Sequence, residues 1–193
     1  SRQMAERALA YARHALCSNE EELCLALDES IEATALALDD LDEDELALVY
    51  AFTASWTSWI QVNSSDYGAI AQLPKVKQLF TWVLSLDKNY DQGTAQIYMG
   101  VLESQLPPSL GGKPDVAKAH FEQAIKASKG KHLMAKVLYA EQYARLLFEQ
   151  DLHDRLLTEV ISANPKAEGL TLINHLAQKQ ARILLAESEE YFE

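Results

Sequence analysis

Apolar residues recur along most of the chain at the three- and four-residue spacing of amphipathic α-helices. Polar clusters, paired prolines and single glycines interrupt this spacing and mark the ends of the helices. The pattern predicts about ten helices, at approximately 2–16, from a cap at Ser18 or Asn19 to 38, 43–62, 67–72, 74–86, 93–103, 114–128, 132–149, from 151 to just before Pro165, and 170–190. We therefore expect an all-α fold.

A degenerate repeat predicts how these helices pack. Segment 83–90 resembles the second-helix ending of a tetratricopeptide repeat (TPR), with a lysine in place of the proline. The pattern recurs with Phe121 at the repeat's aromatic position and Gly100 at its small helix-crossing position, and Pro165 closes a third unit. The intervals are somewhat longer than the usual ~34 residues. We expect a TPR-like right-handed solenoid of antiparallel helix pairs, forming a single domain over residues 1–193.

Composition and charge narrow the classes of function. Apolar residues make up 48% of the chain, which is enough for a buried core, and no apolar run approaches the ~20 residues of a membrane span. The formal net charge of −12 disfavours binding to nucleic acid or to anionic lipid. The acidic run at 39–45 is interpreted as a helix N-terminus, because it lacks the glycine of a calcium-binding loop.

Two cysteines, Cys17 and Cys24, could be free or bridged. On one continuous helix their Cα atoms would be about 10 Å apart, too far for a disulfide. A turn near Ser18 and Asn19 would bring them together. The interpretation favoured by the pattern is a pair of buried free thiols, which leaves the cellular compartment undecided.

No motif in the sequence indicates catalysis. The five histidines are scattered without metal-ligand spacing, and there is no phosphate-binding glycine loop, nucleophile elbow, or cysteine beside a plausible base. The sequence therefore predicts a non-enzymatic protein without a catalytic residue, metal or cofactor.

Aromatic and polar residues on helix faces indicate binding instead. Lys136 is surrounded by apolar neighbours in 133–139, so it is either a surface lysine at the edge of a helix or a cation lining a concave ligand site. The candidate ligand contacts are Lys136, Tyr139, Tyr143, Trp56, Asn174 and Arg182. The loop residues Pro107, Pro108, Gly111 and Gly112 either present backbone N–H groups to an anion or simply connect two helices.

Several blocks of the sequence resemble one family, the TatT component of tripartite ATP-independent periplasmic (TRAP) transporters. They include Leu-Pro-Pro-Ser-Leu-Gly-Gly at 106–112 and the long stretch 130–145. Segments 151–157 and 169–178 and the final Tyr191-Phe192 are also similar. The resemblance extends from the first predicted helix to the end of the chain.

The resemblance implies a TPR-like, non-enzymatic periplasmic protein that partners the solute-binding protein of a TRAP transporter. It also implies a small organic or hydrophobic anion as ligand, and lipid anchoring of the full-length protein. The family's signal and lipidation cysteine have no counterpart at the start of this sequence, so export is implied by resemblance alone. An alternative is a cytosolic TPR scaffold that binds an extended peptide in its concave groove. The sequence does not decide whether the protein forms a homo-oligomer.

Overall fold

The computed structural model describes residues 2–105, 108 and 112–193, and this part of the chain contains helices and turns but no β-strand. The prediction of an all-α fold is confirmed. The solenoid arrangement and the single domain over 1–193 stay predictions, and the chain divides into two compact units, Ser1–Lys88 and Asn89–Glu193. No helix in the described residues is long and apolar enough to cross a membrane.

Unit 1 is built around a central helix. Its helices are α1 (Arg2–Asn19), α2 (Glu21–Glu29), α3 (Ile31–Asp39), α4 (Leu46–Val62), α5 (Tyr67–Ile70) and α6 (Leu73–Leu86). Helix α4 packs against both α1 and α6. Its apolar residues Val49 and Phe52 are buried, as are Leu16 of α1 and Val76 and Leu79 of α6. Burial of these side chains stabilises the unit, at about 1.5–3 kcal/mol for each large apolar group.

The second predicted helix, which ends at 38, is two helices, because Ser30 interrupts it. The backbone of Ser30 is extended, and its hydroxyl oxygen accepts a hydrogen bond from the Ala33 N–H at 3.0 Å, which caps α3. The buried Thr34 hydroxyl donates to the carbonyl oxygen of Ala26 in α2 at 3.2 Å. A serine that bonds to the backbone in this way competes with helix continuation.

The prediction of free cysteines is wrong, since Cys17 and Cys24 form a disulfide. Helix α1 ends at Asn19 and α2 begins at Glu21, so the two cysteines are not on one continuous helix. Their Cα atoms are 5.0 Å apart, which is within the normal range for a bridge. The disulfide therefore joins the end of α1 to the first turns of α2.

Unit 2 has its own apolar core. Its α-helices are α7 (Thr94–Glu103), α8 (Pro114–Ala127), α9 (Leu133–Leu138), α10 (Gln150–Ser162), α11 (Thr171–Ala186) and α12 (Ser188–Phe192). Helix α7 packs on α8, and α11 packs on α9 and α10. Phe121, Val137, Leu157 and Ala177 are fully buried in this core.

The predicted helix 132–149 is not a uniform α-helix. After α9, Tyr139–Ala144 forms a π-helix, in which the Arg145 N–H donates to the Ala140 carbonyl at 3.2 Å. Phe148 then ends the segment with a positive φ of 57°. Tyr139 and Tyr143, four residues apart in this segment, are both buried.

Candidate ligand-binding site

Trp56 lines a cavity of about 300 Å³ in unit 1. Its apolar wall is formed by Leu27, Phe52, Trp56 and Ala71. Phe52 and Trp56 are four residues apart on α4, so they share a face, and their ring centroids are 5.3 Å apart at an angle of 48°. The volume is at the lower end of the range for small-molecule sites.

The polar atoms beside this wall are already paired. The Trp56 indole N–H donates to Gln72 Oε1 at 2.6 Å, and Gln72 Nε2 donates to the Gly68 carbonyl at 3.2 Å. These bonds fix the orientation of the indole ring. Phe52 and Trp56 are only 2% and 7% exposed, so a small part of each ring faces the cavity.

Two cationic side chains, Arg13 and Lys75, lie at the polar side of the cavity. Lys75 Nζ donates to the Leu27 carbonyl oxygen at 2.6 Å. Leu27 is close to the end of α2, where the carbonyl groups have no N–H partner within the helix. Arg13 Nη2 donates to both oxygens of Asp28, at 2.7 and 2.6 Å. Both Arg13 and Asp28 are largely exposed, so this ion pair is at the rim.

Lys136, in unit 2, is half-buried and ion-paired. Its Nζ lies 2.6 Å from Glu159 Oε2, with 19% of the lysine side chain and 40% of the glutamate side chain exposed. Arg155 Nη1 lies 3.3 Å from the other carboxylate oxygen. The hydrogen bond from Lys136 lowers the pKa of Glu159, so this carboxylate is ionised at neutral pH.

Tyr139 and Tyr143 contact each other in the core of unit 2. Their ring centroids are 5.1 Å apart in an edge-to-face arrangement, and Tyr139 also stacks on Phe121 at 5.2 Å. Burial raises the pKa of both phenols, and carboxylates add to the effect, Glu122 most strongly at Tyr139 and Glu149 at Tyr143. Neutral phenols near carboxylates provide little attraction for an anion.

Asn174 and Arg182 lie on different sides of α11. Asn174 is fully buried, and its side-chain oxygen accepts from the Leu133 N–H at 2.9 Å. Its amide nitrogen donates to the carbonyl oxygens of Lys131 and Pro165, at 2.8 and 3.1 Å. Arg182 is exposed and donates to a carbonyl of its own helix at 3.2 Å. Asn174 thus joins the start of α9 to the loop after α10.

The predicted residues do not form one constellation within either unit. Of the loop residues, Pro107 and Gly111 lie outside the described residues, Pro108 is exposed, and Gly112 is half-buried. Sequence reasoning missed the cavity cations Arg13 and Lys75. It also missed Phe52, although the four-residue spacing to Trp56 was a usable signal.

The described residues contain no group of three or more histidine, cysteine or acidic side chains placed to hold a metal ion. A helical chain with an aromatic cavity flanked by cations has the features of a binding protein. Its sequence matches the family model described as TAtT, TRAP transporter T-component, over residues 1–192, so the chain belongs to the TRAP transporter T-component family. No curated protein matches the chain. Membership indicates an accessory role in TRAP transport and suggests a periplasmic location.

Proposed function

We propose that the protein is a non-enzymatic periplasmic subunit that docks the solute-binding protein of a TRAP transporter and exchanges a small organic or hydrophobic anion with it. The observation that carries the proposal is the family match over residues 1–192. A lipid anchor would keep this subunit beside the membrane components of the transporter.

The disulfide supports the periplasmic location. Bridges such as Cys17–Cys24 persist in oxidising compartments and are rare in the cytosol. This observation favours a periplasmic subunit over a cytosolic TPR scaffold that binds an extended peptide.

The cavity in unit 1 supports the ligand part of the proposal. It combines the rings of Phe52 and Trp56 with the cations of Arg13 and Lys75. Apolar walls with a few placed charged groups are typical of sites for small organic ions. Of the ligand contacts predicted from the sequence, Trp56 is therefore the one that lines this cavity.

Ligand contact at Lys136, with Tyr139 and Tyr143, is a separate proposal. Because Lys136 is paired with Glu159, an anion would have to compete with that carboxylate. Lys136→Ala should then weaken binding of an organic anion measured by calorimetry, and Glu159→Gln should strengthen it by releasing the lysine. Unchanged affinity in both variants would overturn a role for Lys136.

The docking part is tested with a TRAP solute-binding protein from the same organism. We expect the two purified proteins to elute together in size-exclusion chromatography at micromolar concentration. Separate elution, both with and without added ligand, would overturn the docking role. Light scattering in the same run measures whether the protein self-associates.

A further inference from the structure

We infer that an aromatic surface on unit 2, formed by Phe148, Tyr191 and Phe192, docks a protein partner through a basic patch that carries an apolar side chain at its centre. The inference deepens the proposed function, because it gives the docking surface and the chemistry of the surface that fits it. It rests on the proposed function in taking the partner to be the solute-binding protein.

The three rings of the aromatic surface form one cluster that is open to solvent. The ring centroid of Phe148 lies 6.0 Å from that of Tyr191 and 5.8 Å from that of Phe192, and the last two are 5.0 Å apart. Phe148 is 67% exposed and Tyr191 is 41% exposed. Large exposed aromatic groups that lie together are typical of protein–protein contacts.

Phe148 contributes little to the stability of the fold. Its φ is 57°, a left-handed conformation that is unfavourable for a bulky side chain and that asparagine or glycine adopts more readily. Because most of the ring faces solvent, burial does not compensate for this conformation. A strained residue with an exposed ring indicates a function outside the fold.

Hydrogen bonds beneath the rings hold the aromatic surface in place. The Ser188 hydroxyl of α12 donates to Asp154 Oδ1 of α10 at 2.5 Å, and His153 Nδ1 lies 2.8 Å from the same oxygen. His153 is fully buried, and its ring centroid lies 5.2 Å from that of Phe192. These contacts fix α12 against α10, so a partner meets rings that are already ordered.

The charge of the aromatic surface selects a basic partner. Exposed carboxylates flank the three rings along the chain, at Glu149, Asp151, Glu187, Glu189, Glu190 and Glu193. The Arg145 guanidinium lies 4.3 Å from the centroid of the Tyr191 ring and 3.6 Å from Glu187 Oε2, and only 14% of its side chain is exposed. The surface is therefore negative. A second copy of this chain or an anionic membrane would bring like charges against it.

An open hollow of about 480 Å³ beside Phe148 fits a lysine or arginine side chain. It is lined by Phe148, Glu149, Gln150, Asp151 and Leu152. The two carboxylates can pair with the cationic head group, while its methylene stem packs on the two apolar residues. The start of α10 contributes about half a positive charge here, which the two carboxylates outweigh.

Phe148→Asn tests the ring. Asparagine removes the aromatic group but tolerates the positive φ, so the variant should keep or raise the melting temperature of the wild type. Tyr67→Asn is the matched control, because it removes a ring that is 92% exposed on α5, away from the aromatic surface.

A pair of glutamines tests the charge. Glu189 and Glu190 are exposed neighbours in the first turn of α12, and the double variant Glu189→Gln, Glu190→Gln removes both charges. The matched control is Glu21→Gln, Glu22→Gln, because these residues are exposed neighbours in the first turn of α2. This pair also keeps the inference testable if Phe148→Asn does not fold.

The experiment is calorimetric titration of each whole-chain variant with a TRAP solute-binding protein from the same organism, at about 50 mM and about 500 mM salt. We expect Phe148→Asn to weaken binding about tenfold or more. The double variant at 189 and 190 should weaken it about threefold at low salt, and its affinity should depend less on salt than that of the wild type. Both controls should match the wild type.

Wild-type affinity in Phe148→Asn, or in the double variant at 189 and 190 at low salt, would overturn the assignment of this surface and leave docking itself standing. Absence of binding by the wild type would instead overturn the proposed function, and this inference with it. Light scattering of the chain alone tests a second copy as the occupant. A dimer that Phe148→Asn abolishes would overturn the basic partner.

Discussion

Gly100 of α7 and Phe121 of α8 lie so close that a Cβ atom on Gly100 would stand 2.9 Å from Cε1 and Cζ of the phenylalanine ring. Phe121 is fully buried, so its ring has little room to move. Gly100→Ala should therefore destabilise the protein by about 1–3 kcal/mol, as overpacking does. Urea unfolding measures this cost. The sign of the change in the free energy of unfolding is informative. Without the contact, alanine would stabilise the helix relative to glycine by about 1 kcal/mol.

Phe121→Leu provides the control for this prediction. In the double variant, the smaller side chain relieves the contact, so Gly100→Ala should cost much less than it does beside phenylalanine. Wild-type stability in the single variant Gly100→Ala would show that the two helices can separate without cost.

The sequence pattern placed Gly100 and Phe121 at a small and an aromatic position, and the two residues lie in contact where α7 packs on α8. Periodicity likewise located most helices, since it reports which face of a helix is apolar. It does not report the local bonds that interrupt a helix. The hydroxyl of Ser30 divides α2 from α3, and the π-helix Tyr139–Ala144 replaces predicted α-helix.

The candidate site was less predictable than the fold. Trp56 was found because aromatic residues on helices are conspicuous in a sequence. Lys75 and Arg13 join it only through tertiary contacts, with partners that are respectively 48 and 15 residues away along the chain. Asn174 shows the converse case, because a polar residue on an apolar helix can serve the backbone as well as a ligand, and its amide bonds to three backbone groups.

Asn174→Ala tests the structural role of that amide. The substitution leaves the Leu133 N–H without its partner and removes two bonds to carbonyl oxygens. We expect a loss of about 3 kcal/mol in the free energy of unfolding. His175→Ala, at the exposed neighbouring position, should stay within about 0.5 kcal/mol of the wild type. An equally small change in Asn174→Ala would contradict the structural role and favour the predicted ligand role of Asn174.

The disulfide gives a redox prediction. Denatured but unreduced protein, produced in an oxidising compartment, should show no reactive thiol. Because Cys17 and Cys24 are seven residues apart, the closed loop is short, and reduction should lower the free energy of unfolding by about 2 kcal/mol. The double variant Cys17→Ser, Cys24→Ser should not respond to reductant. Two reactive thiols in the unreduced sample would contradict the bridge.

His132 gives a pH prediction. Its burial lowers its pKa below the ordinary value of 6.5, against the opposing effects of Asp91 and of a backbone hydrogen bond. The unfolded chain therefore takes up a proton more readily than the folded one as pH falls. The contribution of neutral His132 to the free energy of unfolding is fully present above about pH 6.5. It is lost as pH falls towards the pKa of His132 in the folded state.

His132→Asn should accordingly show a smaller loss of stability between about pH 7 and pH 5 than the wild type, measured by urea unfolding. His175→Asn, an exposed control on α11, should retain the wild-type pH dependence. The same pH dependence in His132→Asn as in the wild type would show that this histidine does not contribute to it.

The most direct test of the account is the affinity between this protein and a TRAP solute-binding protein from the same organism. Calorimetric titration of the purified pair, with and without phenylacetate as a representative small organic anion, measures docking and its dependence on ligand together. The account predicts saturable binding at micromolar concentration or tighter. Absence of binding in both conditions, with both proteins folded, would contradict it.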